Sequence, residues 1–128
     1  MTRPRQTIHD LLARTRARYR RLTPAEASAA MRAGALLIDT RTYTQRRRDG
    51  EIPGALVIDR TVLEWRVDPA SGSTHPAIGG LDAPLILLCA QGYSSSLAVG
   101  TLLDLGASRV TDVVGGFEAW RAAGLPVG

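Results

Sequence analysis

The chain has 128 residues and a net charge of +4, with 45% hydrophobic and 22% charged residues. That is one domain with its own core, and there is room for little more than an N-terminal extension. A single cysteine excludes a disulfide framework, and His9 and His75 are too few and too scattered for a Cys/His zinc site. No metal or organic cofactor is expected.

All sixteen basic residues are arginine. The charge is concentrated: residues 1–21 hold Arg3, Arg5, Arg14, Arg16, Arg18, Arg20 and Arg21 against Asp10, whereas residues 22–128 are slightly acidic. A basic arm of this kind can touch nucleic acid or a membrane surface. Without aromatic interleaving or a nucleic-acid motif, a solvated helix face is the default, and nucleic acid is not an expected partner. No apolar run of about eighteen residues is present, and the N-terminus lacks a secretory core. A cytoplasmic protein with no membrane partner is the expectation.

In chain order, the spacing of Ile8, Leu11 and Leu12, continuing to Thr15 and Tyr19, predicts an amphipathic helix over 7–18, with Thr7 as N-cap and Asp10 completing a capping box. A short extended piece, Tyr19 to Leu22, follows. Thr23-Pro24-Ala25-Glu26 is a helix start that runs to Gly34. Ala35 to Asp39 reads as a buried strand, Tyr43 to Arg48 as a helical turn, and Ala55 to Ile58 as a second strand after the rigid Ile52-Pro53-Gly54 turn. Thr61 to Trp65 is one helical turn. Val67 to Leu81, rich in Gly, Pro and Ser, is a surface loop. Leu85 to Leu88 is a third strand, Leu97 to Leu105 a packed helix, Arg109 to Val114 a fourth strand, and Phe117 to Ala123 a last helix opened by Gly115-Gly116.

Continuous apolar strands alternating with helices indicate a parallel sheet covered on both faces. In such sheets ligands bind beyond the carboxyl ends of the strands, where Asp39, Asp59 and Cys89 fall. Cys89 closes the apolar run Leu85 to Leu88 and precedes a polar loop, Ala90-Gln91-Gly92-Tyr93-Ser94-Ser95, that enters a helix. A cysteine there faces unpaired N–H groups and the positive end of a helix dipole, which favour the reactive thiolate. The competing reading is an ordinary buried cysteine. Ser94, Ser95 and Ser96 either bond a group on the sulfur or cap the helix, and both can hold. Asp39 and Arg41 are either functional or an ion pair fixing the walls of the site. Trp65, Phe117 and Trp120 are expected to pack.

Four pieces in this order resemble the rhodanese-like domain of the sulfurtransferases: Leu37-Ile38-Asp39-Thr40-Arg41, Gly50-Glu51-Ile52-Pro53-Gly54-Ala55, Cys89-Ala90-Gln91-Gly92-Tyr93-Ser94 and Val114-Gly115-Gly116-Phe117-Glu118-Ala119-Trp120. The resemblance covers about 19–127. It implies an α/β fold with a five-stranded parallel sheet and helices on both faces, its fifth strand lying near Tyr19 to Leu22. Residues 1–18 form a basic helical extension and 19–128 the domain. It also implies that Cys89 takes a sulfane sulfur as a persulfide from a donor such as thiosulfate, cradled by the loop from Ala90 to Ser95. The sulfur then passes to a thiol, cyanide or a protein acceptor. The alternative is a non-catalytic binding or redox-sensing module.

The loop lacks the cation that the family often carries there, so Arg60 and Arg66 are candidates to contact the donor anion. Glu51 stands in place of the family's usual histidine and is read as structural. Cysteine phosphatases require an arginine six residues after the cysteine; here Ser95 stands there, which favours sulfur over phosphate.

Overall fold

The computed structural model describes residues 4–128; Arg3 of the basic arm lies outside them. The elements are α1 (Ile8–Arg16), α2 (Pro24–Arg32), β1 (Leu36–Asp39), α3 (Tyr43–Asp49), β2 (Leu56–Val57), α4 (Leu63–Val67), β3 (Leu85–Leu88), α5 (Ser94–Asp104), β4 (Val110–Asp112) and α6 (Gly116–Ala122). The capping boxes are formed as the sequence predicts: Thr7 with Asp10 on α1 and Thr23 with Glu26 on α2, where Pro24 takes the first turn. Thr42 and Gln45 make a third on α3.

Four strands pair in parallel in the order β2-β1-β3-β4. The central strand β3 is buried on both faces. Leu85 and Leu87 join Ile38, Leu63, Val99 and Leu102 on one side, whereas Ile86 and Leu88 join Ala27, Leu37, Phe117 and Trp120 on the other. The period of two along a strand thus divides one apolar run between two cores.

The expected fifth strand is reduced to a bridge. Leu22 pairs in parallel with Val113, through Leu22 N–H to Asp112 C=O at 3.1 Å and Val114 N–H to Leu22 C=O at 2.8 Å. The ladder cannot lengthen because Thr23 is already an N-cap and Pro24 has no N–H to donate. Arg21, on the other side, is directed into the molecule by its side-chain bonds.

Helix α1 lies on α5, burying Leu12 and Thr15. The approach is close: a Cβ at Gly100 of α5 would come within 2.7 Å of the Thr15 methyl. The loop after α4 contains a short turn at Pro69–Ser71 and anchors Ile78 in the core. Trp65, expected to pack, is instead 59% exposed, because α4 buries Leu63 and Val67 and turns the intervening ring outward. Among the described residues no helix is long and apolar enough to cross a membrane.

Candidate active site

Cys89 follows β3 at the carboxyl edge of the sheet and is 6% exposed. Its Sγ accepts hydrogen bonds from the N–H of Gly92 at 3.1 Å and of Ser95 at 3.4 Å. Burial pushes the thiol pKa up. The serine hydroxyls and the N–H groups of Ser95 and Gly92 outweigh it, and the group is held below its ordinary value. Ser95 has one hydroxyl proton, directed to Asp112 at 2.7 Å. The hydrogen bonds that the geometry gives the sulfur are therefore the two from the main chain. Two loop amides, those of Gly92 and Ser95, point at the sulfur, and the carbonyls of Cys89 and Ala90 are held on the side of α6. The Phe117 N–H donates to Cys89 C=O at 2.8 Å and the Glu118 N–H to Ala90 C=O at 3.1 Å. In a planar trans peptide the N–H points opposite to the C=O, so the amides of Ala90 and Gln91 face away from α6.

The third outward carbonyl, Gly92, is held by side chains alone. It accepts from Arg16 Nη2 at 2.7 Å and from Arg21 Nη2 at 2.9 Å; the Ser96 hydroxyl is 3.4 Å away, with its one proton directed to Asp112 at 2.8 Å. Gly92 has φ +84°, and its Cα lies against the Gly115-Gly116 backbone, where an added Cβ would meet Gly115 N at 2.8 Å. The loop can therefore only turn at glycine. Gly115-Gly116, read from sequence as a helix opening, is thus also the floor on which the loop lies.

Beneath α5 sits Asp112, at the end of β4 and fully buried. It accepts from the Tyr19 hydroxyl at 2.9 Å, Arg21 Nε at 2.9 Å, Arg21 Nη2 at 3.2 Å, and the Ser95 and Ser96 hydroxyls at 2.7 and 2.8 Å. A carboxylate this deep persists only when paired and fully bonded. Burial pushes the Tyr19 phenol up, so it stays protonated and donates. Sequence reading passed over Asp112, although the rule that selected Asp39, Asp59 and Cys89 as strand-end residues applies to it equally once β4 is seen to stop there. Nothing local marked Arg16, Tyr19 and Arg21, which reach the loop or Asp112 across more than seventy residues of chain. The solvated face expected of the arm holds for the exposed Arg14, Arg18 and Arg20, and not for Arg16 and Arg21.

The other sequence candidates divide. Asp39 and Arg41 form a buried ion pair at 2.8 Å. Arg41 also donates to Gly50 C=O at 2.8 Å and lies over the Phe117 ring at 3.8 Å. Its Nη1 has no partner among the described residues. The pair braces the residue whose N–H holds Cys89 C=O. Arg60 is paired with Glu64 at 2.9 Å and Arg66 donates to Ser73 C=O at 2.8 Å, so the bonds these two make run within their own segment and not to the loop. Glu51 pairs with Arg46 at 3.1 Å. Asp59 caps the turn at Thr61. Tyr93 and Gln91 are exposed on the loop, and Gln91 donates to Glu118 at 3.3 Å.

A cysteine in a loop of inward N–H groups, at the edge of a doubly covered parallel sheet, matches a known family. The family model described as the rhodanese-like domain covers residues 23–123. The thiosulfate sulfurtransferase GlpE of Pseudomonas savastanoi pv. phaseolicola is 34% identical over 104 residues, which is 81% of this chain and 89% of that protein. GlpE of Ectopseudomonas mendocina is 36% identical over 104 residues, 81% of this chain and 86% of that protein. The solved structure of a protein of unknown function from Rhodopseudomonas palustris CGA009, called a possible tyrosine phosphatase, has a TM-score of 0.87 and 34% identity, covering 100% of this chain and 98% of that one. The chain belongs to the rhodanese-like domain family, and its activity is that of a rhodanese-type sulfurtransferase.

Proposed function

We propose that Cys89 is the sulfur carrier and that thiosulfate is a donor. The observation that carries this reading is the sulfur itself, held at a strand end by two main-chain N–H groups of its own loop. The Cys89 thiolate attacks the outer sulfur of the donor. An Sγ–S bond forms, the S–S bond of thiosulfate breaks, and sulfite leaves with the bonding electrons. The persulfide's terminal sulfur carries the charge, and the amides of Ala90, Gln91 and Tyr93, with the N-terminus of α5, stabilise it. Cyanide or a thiolate then attacks that terminal sulfur, and Sγ departs as the thiolate. The acceptor in the cell is a small thiol or a cysteine of a protein partner. Cys89 is a free thiol, and a reducing cytoplasm, which keeps thiols free between turnovers, is the compartment that suits this chemistry.

A phosphatase reading gains no support from this loop. The position that would carry the phosphate-gripping arginine is Ser95, fully buried and bonded to Asp112.

The test is direct. Incubation with thiosulfate is expected to add one sulfur atom to Cys89, seen by mass spectrometry, and cyanide is expected to remove it as thiocyanate. A thiol that stays unmodified with thiosulfate and with organic persulfides alike would sink the proposal.

The loop itself carries no charge, which sets a second expectation. A unit cation roughly 6 Å from a dianion in a water-like medium is worth about 1.4 kcal/mol, or about tenfold. Tyr93→Lys, at an exposed loop position, is therefore expected to raise kcat/KM for thiosulfate about tenfold at low salt, with the gain disappearing at high salt. Steady-state kinetics at two ionic strengths decide it. An unchanged value would mean that the anion does not dock over the loop.

A further inference from the structure

We propose that Arg21, assisted by Arg16, is a positioning residue of the sulfur-transfer site: the two guanidinium groups hold the Gly92 carbonyl outward and thereby keep the Tyr93 N–H turned to the sulfur. This rests on the reading of Cys89 as sulfur carrier. Both arginines precede residue 23, where the match to the family begins, so a segment outside the matched region completes the site.

The argument starts from the Gly92–Tyr93 peptide. The carbonyls of Cys89 and Ala90 are held by main-chain donors of α6, whereas that of Gly92 is held by the guanidinium groups of Arg16 and Arg21. Glycine offers little steric resistance to rotation of its neighbouring peptide. Unclamped, this peptide can turn its oxygen toward Sγ, replacing a donor with a partial negative charge beside a thiolate.

Arg21 is well placed to prevent that. Its Nε and Nη2 grip Asp112 at 2.9 and 3.2 Å, and the same Nη2 reaches Gly92 C=O at 2.9 Å. The planar guanidinium presents its donors in a fixed fork, so anchoring two of them aims the third. Arg16 is aimed likewise, with Nε on the Ser96 hydroxyl at 2.9 Å and its guanidinium 5.7 Å from the Tyr93 ring. Asp112 and the two arginines leave one net positive charge behind a loop that has none. The cation missing from the front of the loop is thus supplied from behind, where it favours the thiolate and does not meet the donor. The other ionisable groups on elements packed around the loop include Tyr19 before α2, Asp39 at the end of β1 and Arg41 just after it, Glu118 and Arg121 on α6, and the surface pair of Arg18 on α1 with Asp104 on α5.

The test uses the full chain with Arg21→Gln, Arg21→Lys, Arg16→Gln and, as control, Arg18→Gln, whose arginine pairs with Asp104 on the surface. Two readouts are taken: the pH dependence of Cys89 alkylation by iodoacetamide, and kcat and KM for thiosulfate and cyanide. Removing a cation raises the thiol pKa. Arg21→Gln is therefore expected to move the alkylation inflection up by about one pH unit and to lower kcat about tenfold, with a smaller change in KM. Arg21→Lys restores the charge without the fork, so it recovers the inflection more fully than kcat. Arg16→Gln acts in the same direction with smaller size, and Arg18→Gln changes neither readout.

Should Arg21→Gln fail to fold because Asp112 is left unpaired, Arg21→Gln/Asp112→Asn removes both partners of the pair; the net charge behind the loop is then unchanged, so the fall in kcat, with little movement of the inflection, is the expected result. Unchanged inflection and kcat in Arg16→Gln and in a folded Arg21 variant would overturn the proposal. Alkylation needs no sulfur donor. A shifted inflection in a protein that forms no persulfide would uphold the clamp and reject the carrier reading.

Discussion

Cys89→Ser is expected to reduce thiocyanate formation from thiosulfate and cyanide to the uncatalysed level, a loss of at least about a thousandfold, while the fold persists. The chemistry requires an anionic, thiophilic nucleophile at neutral pH, and a serine hydroxyl ionises far above the range in which a loop of N–H donors can lower a thiol. The exchange is sterically mild. The oxygen is smaller than sulfur and can accept the same bonds that Gly92 and Ser95 donate to Sγ at 3.1 and 3.4 Å. A near-isosteric swap costs less than about 1.5 kcal/mol, so the thermal midpoint should fall by only a few degrees. Thiocyanate colorimetry and thermal unfolding measured on the same sample check both halves. Residual turnover above the blank would mean that the sulfur travels without a covalent stop at Cys89.

Gly116→Ala is expected to damage the site without touching a single reacting atom. A Cβ at this position would lie 2.4 Å from Cys89 C=O, 2.7 Å from Gly92 N and 2.8 Å from Gln91 N, all of them backbone atoms of the loop. None of these can swing aside as the end of a side chain can. The residue also sits at φ +59°, a conformation that costs an alanine about 1–2 kcal/mol. With overpacking of about 1–3 kcal/mol added, a destabilisation of about 3 kcal/mol and a midpoint lowered by about 10 °C are the expected results. Activity should fall further than the loss of folded protein explains, because the loop must lift off the α6 N-terminus and release the bonds that Phe117 and Glu118 donate to it. Chemical denaturation and kcat at a temperature where the variant is folded separate the two effects. Unaltered stability would show that the loop and floor do not meet as closely as 2.4 Å implies.

Both predictions concern parts that were legible to different degrees. The strand Leu85 to Leu88 and the helix behind it follow from a run of apolar residues and a serine-rich start. The two early helices follow from Thr7 and Thr23 with their acidic partners three residues on. These signals are local, since a cap or a short apolar strand is decided by residues within about one turn of each other. The fifth strand failed for an equally local reason that was visible but unweighed, the Thr23-Pro24 helix start immediately after Leu22. Trp65 illustrates the opposite limit. Five residues of α4 present two apolar side chains to the core, and which of Leu63, Trp65 and Val67 turns outward depends on the surface that the helix meets.

The amino-acid order settles that the chain is a doubly covered parallel α/β domain. It also places its one cysteine at a strand end, in a loop that turns at Gly92, because both follow from periodicity and from the conformations open to glycine. How that loop is held is a tertiary matter. Asp112 at the end of the last strand, Arg16 and Arg21 from the arm, and the Gly115-Gly116 floor converge on six residues from opposite ends of the chain. An arginine in sequence is only a charge on a long, flexible stem. It becomes part of a site when packing of α1 on α5 sets its origin and a buried carboxylate sets its aim.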